Sequence, residues 1–481
     1  MKEKFRYVKK EDRKKILLLC DDIRMHSGVA TMAKEIVVGT AHHFNWINIG
    51  GAIQHPDEGK GFDLSTDVNK EAGIEDAEVK LFATSGYGNQ TLVRGIIKQE
   101  KPDAILLFTD PRYWTWLFDL EREIRQTTPI FYLNIWDDYP TPLYNKAYYQ
   151  SCDLLMSISK QTKTINELVL GDEAKGKTLT YVPHGINEEQ FFTITEDYKD
   201  YDKYKLLKNT LFQREDIDFI VFWNSRNIRR KSPGDVILSY RHFCDLIGKE
   251  KAKKCALVMH TSPIDNNGTD LMAVREAICD PEYVNVYFSD NKLSTTQMNW
   301  IYNLADVTML ISSNEGWGLS LTESMMAGTP IIANVTGGMQ DQMRFVDENG
   351  KWYTPSKKVP SNHMGTYKEH GNWAKPVFPS NISLVGSVPT PYIHDDRADF
   401  RDVAEAIKYW YDMSPEERKE AGEAAREWVT SDESGMSSKN MCKNVIKSMD
   451  TAFDNFTPRQ RFELFKVEDL PKKYVQHEMV Y

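Results

Sequence analysis

The stretch 312-SSNEGWGLSLTESMMAGTPIIANVTGG-338 is the most informative part of the sequence, because it combines a glycine loop, a predicted helix and a predicted buried strand in one continuous segment. The apolar, β-forming run 307–311 before it predicts a first buried strand that leaves a sheet at the polar start of the stretch. The run 319–327 contains no helix breaker and ends at Gly328, which predicts a helix. Residues 331–335 predict a second buried strand.

Two acids flank the start of that predicted helix. Gly316 and Gly318 let backbone N–H groups approach a ligand closely, and a helix N-terminus adds the positive end of its dipole, which suits a phosphate. Glu315 lies in the loop and Glu323 lies one turn into the helix, where carboxylates accept hydrogen bonds from hydroxyl groups. Acids on both sides of a phosphate cradle favour a nucleotide sugar as ligand. Ordinary solvated acids beside a turn are the alternative.

The pattern Glu-Gly-aromatic-Gly-Leu-x-x-x-Glu-x-Met-x-x-Gly-Thr-Pro, closed by Gly-Gly, resembles the signature of family 4 (group 1) retaining glycosyltransferases of the GT-B fold. The resemblance implies an α/β fold with two doubly wound, Rossmann-like parallel-sheet domains that face each other across a cleft. It also implies that Glu315 contacts the donor sugar and that Glu323 holds the ribose hydroxyls. Gly318 and Leu319 would offer backbone N–H groups to the diphosphate. Ser324 stands where alanine is usual.

Length and composition exclude several classes of protein. A chain of 481 residues suffices for two domains of about 200 residues each. Its 41% hydrophobic and 27% charged residues are typical of a soluble globular protein, and no apolar run approaches the ~20 residues of a membrane span. The net charge of −10 disfavours indiscriminate binding of polyanions. Six scattered cysteines and a charged, non-secretory start predict a cytoplasmic protein, in the host cytoplasm if the chain is phage-encoded.

Strands and helices alternate through both halves of the chain, which predicts two doubly wound parallel sheets with ligands at the carboxyl ends of the strands. Domain boundaries are predicted at 1–195, 196–438 and 439–481, the last segment crossing back onto the first domain as in other GT-B enzymes. The predicted strands are 15–20, 46–49, 79–83, 104–108, 130–135, 154–158 and 179–182 in the first half, then 219–223, 256–260, 284–288, 307–311 and 331–335 in the second.

Two loops of the first half carry further candidates. The Ser27-Gly28-Val29 turn resembles the family's Gly-Gly-Val loop, and this implies that Ser27 and Gly28 contact the donor. A generic strand-to-helix turn is the alternative. His184 lies in a segment that resembles the family's exit from the first domain and is interpreted as structural.

The first strand of the second half is followed by a basic loop. Arg226 and Lys231 match the Arg and Lys of the family's Gly-Arg-Leu-x-x-x-Lys-Gly element, and they would supply fixed positive charge to a diphosphate leaving group. Arg229 and Arg230 exceed that need, so they are interpreted as a solvated loop or as contacts to a second anionic ligand.

The acceptor side is expected in 134-NIWDDYP-140, just past a buried strand. The resemblance implies a His-Asp element here, but Trp136 stands at the histidine position. Asp137 is the predicted acceptor-orienting or charge-stabilising residue, with Asp138 second. A metal site made of such Asp pairs is the alternative; the prediction is no metal and no cofactor, with a UDP-sugar as the expected co-substrate.

The segment 350–396 is an insertion rich in proline, aromatics and lysine, where the family has a short connection. Long insertions of this kind are commonly functional or disordered, and its aromatics favour packing. A basic start, through Lys15, is interpreted as a solvated terminus or as a phosphate-binding arm.

Three functions are compatible with these motifs. The first is sugar transfer from a nucleoside diphosphate sugar to a glycan, lipid-linked or small-molecule acceptor. The second is the same chemistry on DNA that carries 5-hydroxymethylated pyrimidines, as in phage enzymes, where the target nucleotide must leave the stack. The third is a non-catalytic sugar-nucleotide-binding protein on the same fold. A glycosidase is disfavoured because nothing marks an acid and nucleophile pair. The oligomeric state is not predicted.

Overall fold

The apolar runs of the first half form one mainly parallel sheet in the computed structural model, which describes residues 7–460. The strand order is β3-β4-β2-β1-β5-β6-β7-β8, and every strand except the antiparallel edge strand β3 runs parallel to its neighbours. The predicted parallel sheet is confirmed, whereas the short β3 was not predicted. The strands are β1 (Lys14–Asp21), β2 (Phe44–Ala52), β3 (Gly61–Asp63), β4 (Val79–Ser85), β5 (Ala104–Phe108), β6 (Ile130–Asn134), β7 (Leu154–Ser157) and β8 (Thr178–Tyr181).

The second half forms a parallel sheet of its own, in the order β11-β10-β9-β12-β13-β14. Its last strand, β14, and an antiparallel hairpin, β15–β16, come from the 350–396 insertion, which is therefore folded. The strands are β9 (Phe219–Asn224), β10 (Cys255–His260), β11 (Val286–Ser289), β12 (Val307–Leu310), β13 (Ile331–Asn334), β14 (Ala374–Val377), β15 (Asn381–Ser387) and β16 (Thr390–Arg397).

Helices connect the strands of both sheets. The predicted helix 319–327 has the predicted bounds. Residues 400–430 form two helices rather than one, because Ser414 forms a capping box with Glu417 and starts the second. The helices are α1 (Gly28–Thr40), α2 (Ser65–Ala72), α3 (Gln90–Glu100), α4 (Thr115–Phe118), α5 (Glu121–Ile124), α6 (Lys146–Gln150), α7 (Lys160–Leu170), α8 (Tyr201–Phe212), α9 (Pro233–Ile247), α10 (Lys249–Ala252), α11 (Leu271–Ile278), α12 (Thr295–Leu304), α13 (Leu319–Ala327), α14 (Met339–Met343), α15 (Phe400–Asp412), α16 (Pro415–Thr430) and α17 (Ser438–Asn455).

The central strands of the first sheet, such as β1, are buried on both faces because helices cover both. In β1, Ile16 and Leu18 pack in one apolar cluster while Leu17 and Leu19 pack in another, and all four side chains are buried. A strand buried on both sides reads as a continuous apolar run, which is why β1 was visible in the sequence.

The last helix, α17, packs against the first sheet's layer rather than the second. It contacts α1, β7 and β8, and Cys442 lies so close to α1 that a Cβ on Gly39 would be 2.4 Å from its Sγ. His43 and Asp450 form a further contact at 3.0 Å. Residues 461–481 of the predicted crossing segment lie outside the described residues, and the proposed domain boundaries stay predictions.

Within residues 7–460, no helix is long and apolar enough to cross a membrane. All six cysteines fall in this range, where each is buried and free.

Candidate functional site

A cavity of about 590 Å³ lies where the carboxyl ends of the two sheets face each other. Phe108 and Ile135 line it from the ends of β5 and β6, and Asn224 and Leu310 line it from the ends of β9 and β12. Parallel strands place their carboxyl ends at one edge, so two sheets facing each other leave a crevice at this level.

The cavity brings together most of the residues singled out from the sequence. Those that line it are Ser27, Gly28, Asp137, Arg226, Lys231, Glu315, Gly318, Leu319 and Glu323. Two predicted acceptor-side residues, Trp136 and Asp138, are not among its lining residues. Arg230 and His184 line it in addition.

The glycine loop needs its glycines for two reasons. Gly318 precedes α13 with φ 89° and ψ 65°, a left-handed conformation that disfavours other residues, and it provides no side-chain cap to the helix. Gly337 and Gly338 pack directly under the loop, where Cβ atoms would lie 1.9 Å from the carbonyl oxygen of Glu315 and 2.2 Å from that of Gly316. The absence of side chains at Gly337 and Gly338 therefore lets the loop that carries Glu315 pack directly against their backbone.

Glu315 is the centre of a buried ion-pair cluster. Its Oε2 accepts hydrogen bonds from Lys231 Nζ and, at 3.3 Å, from Arg230 Nη1. Burial raises the pKa of Glu315, but the attraction of Lys231 and Arg230 outweighs it and holds the pKa below its usual value. Burial likewise lowers the pKa of Lys231, against the attraction of Glu315. Within this cluster, two cations meet one anion, which leaves one positive charge that Glu315 does not neutralise.

The basic loop is arranged differently from the sequence prediction. Arg226 Nε pairs with Asp265 at 3.0 Å and its side chain is 64% exposed, although it still borders the cavity. Arg230, interpreted above as surplus, instead contacts Glu315 and donates to the carbonyl oxygen of Asn314 at 2.7 Å. Residues 229–231 form a single 3₁₀ turn, and the spacing of basic residues alone does not indicate which of them such a turn directs inward.

Glu323 is held by two polar residues that sequence reasoning missed. The hydroxyl of Tyr302 donates to Glu323 Oε2 at 2.5 Å, and Asn224 Nδ2 donates to Tyr302 Oη at 2.9 Å. Burial raises the pKa of Glu323. Tyr302 lies on α12 between Ile301 and Asn303 and belongs to no recognisable motif, so its sequence context gave no sign of this role.

Asp137 faces the same cavity from the opposite sheet. Burial raises its pKa to about 6. The positive charges of Arg230 and Lys231 lower this pKa, and the negative charge of Glu315 raises it. Its own carbonyl oxygen accepts from Gln161 Nε2 at 2.8 Å, which fixes the loop after β6. A carboxylate near two cations and across from Glu315 is suited to orient a polar ligand group.

Trp136 and Asp138 point away from this cavity. Trp136 is 7% exposed and its Nε1 donates to the carbonyl oxygen of Asp138 at 2.8 Å. Asp138 is fully buried, and its Oδ1 accepts from Tyr139 N at 2.7 Å. Neighbouring residues in an extended segment alternate in direction, so Asp137 faces the cavity while those on either side do not. This placement does not support direct acceptor contact by Trp136.

The first sheet contributes the remaining wall. Ser27 caps α1, with its Oγ accepting from Ala30 N at 3.0 Å and donating to Asp21 at 2.5 Å. Gly28 meets α13 closely, since a Cβ there would lie 3.3 Å from a methyl group of Leu319. Burial lowers the pKa of His184 to about 3, so this lining residue is neutral, in keeping with its structural interpretation.

Residues 284–358 match the family model described as glycosyl transferases group 1. This segment includes β11 to β13, the glycine loop and α13. A comparison with curated proteins finds no match.

Solved structures with similar folds include a glycosyltransferase from Rickettsia africae and two synthases of sugar phosphates. Sucrose-phosphate synthase from Thermosynechococcus elongatus has a TM-score of 0.62 at 14% identity, over 92% of this chain and 100% of that one. HepE from Anabaena, in complex with UDP and glucose, has a TM-score of 0.60 at 12% identity, over 91% and 100%. An α,α-trehalose 6-phosphate synthase from Burkholderia multivorans has a TM-score of 0.59 at 10% identity, over 92% and 100%.

Such low identities show the fold alone, and this fold is GT-B. Together with the match over residues 284–358, it confirms that the chain resembles group 1 glycosyltransferases.

Proposed function

We propose that this protein transfers a hexose or pentose from a nucleoside diphosphate sugar to an acceptor hydroxyl with retention of configuration. The observation that carries the proposal is the convergence of Lys231, Arg230 and Glu315 with the start of α13 in one cavity between the sheets. A UDP-sugar is the proposed donor, because HepE binds UDP and glucose in a similar fold.

The arrangement suits departure of a diphosphate. Negative charge on the leaving phosphates grows as the glycosidic bond breaks, and fixed cations in a partly buried site stabilise that charge strongly. Lys231 is 9% exposed, so its charge is poorly screened by solvent. In other sites that bind phosphates, a metal ion neutralises the charge that these cations neutralise here. We therefore propose that the transfer step uses no metal at the diphosphate.

Retention follows from the proposed direction of attack. The acceptor hydroxyl approaches the face that the phosphate leaves, and a phosphate oxygen takes its proton. Asp137, on the opposite wall, orients the acceptor or stabilises positive charge that develops on the sugar. Glu315 receives hydroxyl groups of the donor sugar once the phosphates draw Lys231 and Arg230 toward them.

A second candidate acceptor is DNA with 5-hydroxymethylated pyrimidines, and an exposed aromatic pair favours it. Tyr113 is 51% exposed and stacks on Tyr87, with ring centroids 4.3 Å apart and an interplanar angle of 23°. Tyr87 donates to Asp21, which also holds Ser27 at the cavity wall. A stacking surface beside the cavity is what an extruded base needs.

The basic start gives this candidate less support than its sequence suggested. Lys14 pairs with Asp103 at 3.2 Å, Lys15 with Glu100 at 3.6 Å, and Arg13 with Asp76 at 2.7 Å, so acids of the same domain neutralise these three cations. Residues 1–6 of the basic start lie outside the described residues.

The test is product analysis with a panel of UDP-sugars and acceptors that includes simple sugars, lipid-linked glycans and hydroxymethylcytosine-containing DNA. We expect one acceptor to gain sugar mass, and nuclear magnetic resonance of the purified product to give the same anomeric configuration as the donor. The inverted configuration would overturn retention. Binding of a donor without diphosphate release under any condition would indicate the non-catalytic alternative.

A further inference from the structure

A second polar cluster lies outside the donor cavity, where the insertion meets the loop after β6. It consists of Asp138, His363 and Asp396, whose ligand atoms all lie within 4.8 Å of one another. Asp138 belongs to the first half of the chain, whereas His363 and Asp396 belong to the 350–396 insertion. Three separate segments therefore converge on one point.

The two carboxylates of this cluster are fully buried. Asp138 and Asp396 are each 0% exposed, and His363 retains 12% of its side-chain exposure. Among residues 7–460, no lysine or arginine forms an ion pair with Asp138 or Asp396. The one ion-pair partner in that range is His363, whose Nδ1 lies 3.2 Å from Oδ2 of Asp396. Buried carboxylates without a basic partner are rare unless they bind a metal ion.

One carboxylate oxygen of the cluster has no hydrogen-bond partner. Asp396 Oδ1 is buried and unsatisfied, although its sister oxygen Oδ2 faces His363 Nδ1. A buried acceptor left without a partner in an otherwise well-packed region indicates a missing ligand. The nearby His394, whose ring lies 6.2 Å from that of His363, also has a buried and unsatisfied Nδ1.

Neighbouring groups hold the cluster residues in place. Asn314 Nδ2 donates to Asp138 Oδ2 at 3.3 Å and also to the carbonyl oxygen of His394. The backbone of Asp396 is held by two hydrogen bonds. Its N–H donates to the carbonyl oxygen of Ser313 at 3.0 Å, and its own carbonyl oxygen accepts from Asn334 Nδ2 at 2.7 Å. Supporting contacts of this kind orient the ligands in metal sites.

We propose that Asp138, His363 and Asp396 bind a divalent transition-metal ion, with Zn²⁺ as the best fit. One imidazole nitrogen and two carboxylates supply three ligands, and a water molecule would complete a four-coordinate site. The ion neutralises the two buried negative charges. An imidazole ligand favours Zn²⁺ over Mg²⁺ and Ca²⁺, which prefer all-oxygen sites.

The ion fastens the insertion to the wall of the donor cavity. Asp138 adjoins Asp137, and Asn314 adjoins Glu315, so a metal at this cluster braces both loops from behind. The role is structural, because the cluster residues do not line the cavity. This inference is independent of the proposed sugar transfer.

The experiment measures metal on the full-length protein purified without chelators, by mass spectrometry of the bound elements. We expect about one Zn²⁺ per chain. After prolonged chelation, calorimetry should show one Zn²⁺ site and a higher Tm on reloading, with Mg²⁺ and Ca²⁺ ineffective. Co²⁺ in place of Zn²⁺ should give visible absorption of a metal with an imidazole ligand.

Variants locate the site. Asp396→Asn and His363→Gln should abolish stoichiometric binding, and Asn314→Ala should weaken it about 10- to 100-fold. The matched controls Asp341→Asn and His370→Gln remove a buried aspartate and a partly buried histidine elsewhere in the same half and should leave the metal content unchanged.

Two outcomes overturn the proposal. One is a wild-type protein that binds no Zn²⁺ or Co²⁺ by calorimetry, which would mean that the cluster is a metal-free His–Asp pair. The other is a folded Asp396→Asn variant, judged by circular dichroism, that keeps its full metal content. If that variant does not fold, the wild-type titration decides alone.

Discussion

Glu315 is shared between two uses. Without a donor it neutralises Lys231 and Arg230, and in the proposed complex the phosphates take over the cations while Glu315 turns to the sugar. The sequence predicted Glu315 and Lys231 at the cavity, because motif spacing places residues along a loop. It did not predict that Arg230, rather than Arg226, contacts Glu315. That difference depends on the 3₁₀ turn at 229–231 and on Asp265, which pairs with Arg226 from 39 residues further along the chain.

Lys231→Ala and Arg230→Ala should each lower turnover more than Arg226→Ala. Each removes a cation that opposes the growing charge on the leaving group, and one such donor is worth ~2.7 to 4 kcal/mol, about 100- to 1,000-fold in kcat. Steady-state kinetics with the active donor measures this, with Arg229→Ala as the matched control. An Arg226→Ala defect larger than that of Arg230→Ala would restore the assignment made from spacing.

Tyr302→Phe and Glu323→Gln should weaken binding of free UDP, whereas Glu315→Gln should chiefly impair use of the intact donor. Tyr302 orients Glu323 through a 2.5 Å hydrogen bond, and Glu323 is proposed to hold the ribose. Losing one hydrogen bond to a carboxylate costs about 1.5 to 3 kcal/mol, or 10- to 150-fold in Kd. Calorimetry with UDP alone measures the Kd of each variant. Equal losses of UDP affinity in the Glu323 and Glu315 variants would mean that the roles of the two acids are assigned wrongly.

At the level of elements, continuous apolar runs predicted every strand of the two sheets except β3 and β14, because strands buried on two faces leave such a run in the sequence. The elements that the sequence did not reveal lie at sheet edges. β3 has three residues, β14 contains Pro376, β15 is mostly exposed and β16 is mostly half-buried, so none carries a buried apolar run. The folded insertion became visible only through its pairing with β13 and its contacts to Asp138 and Asn314.

Gly337→Ala should destabilise the protein and abolish donor binding, because α13 and its loop depend on close backbone approach. The added Cβ would lie 1.9 Å from the carbonyl oxygen of Glu315 at a residue with φ 48°, so the backbone must shift. We expect a loss of at least about 2 kcal/mol, seen as a lower Tm.

The matched control for this change is Gly95→Ala. Gly95 lies inside α3, and a Cβ there meets no atom within 4 Å. Alanine should therefore raise stability by about 0.5 to 1 kcal/mol through better helix propensity. A Gly337→Ala protein with unchanged Tm and normal donor affinity would contradict the role assigned to the glycine pair.

At the scale of the whole molecule, the two halves meet through a buried acid and a lysine. Asp341 of α14 accepts from the backbone N–H of Lys160 at the start of α7, at 2.9 Å, and Lys160 Nζ lies 3.3 Å from the ring centre of Trp352. Burial raises the pKa of Asp341 to about 6 and lowers that of Lys160 to about 8. Nothing in the local sequence of either residue indicated this contact, because their partners are distant in the chain.

This contact predicts a pH dependence. A carboxyl whose folded-state pKa is raised binds its proton more tightly when folded, so its contribution to stability is complete below pH 3.8 and is lost as the pH rises to about 6. The change corresponds to about 3 kcal/mol. The Tm of the wild type relative to Asp341→Asn should therefore fall between pH 4.5 and 7. A difference in Tm that is constant over this range, or that grows, would contradict the buried setting of Asp341.

Sugar transfer in this cavity is tested most directly by donor binding and diphosphate release in the wild type and in Lys231→Ala. A panel of UDP-, GDP- and ADP-sugars is screened for thermal stabilisation, and the hits are assayed for released nucleoside diphosphate with and without acceptor. We expect one nucleotide sugar, at ~100 times its Kd, to stabilise the wild type by about 2.7 kcal/mol. We also expect the wild type to release the diphosphate and Lys231→Ala to release almost none. Absence of any nucleotide-sugar binding, or full release by Lys231→Ala, would contradict sugar transfer in this cavity.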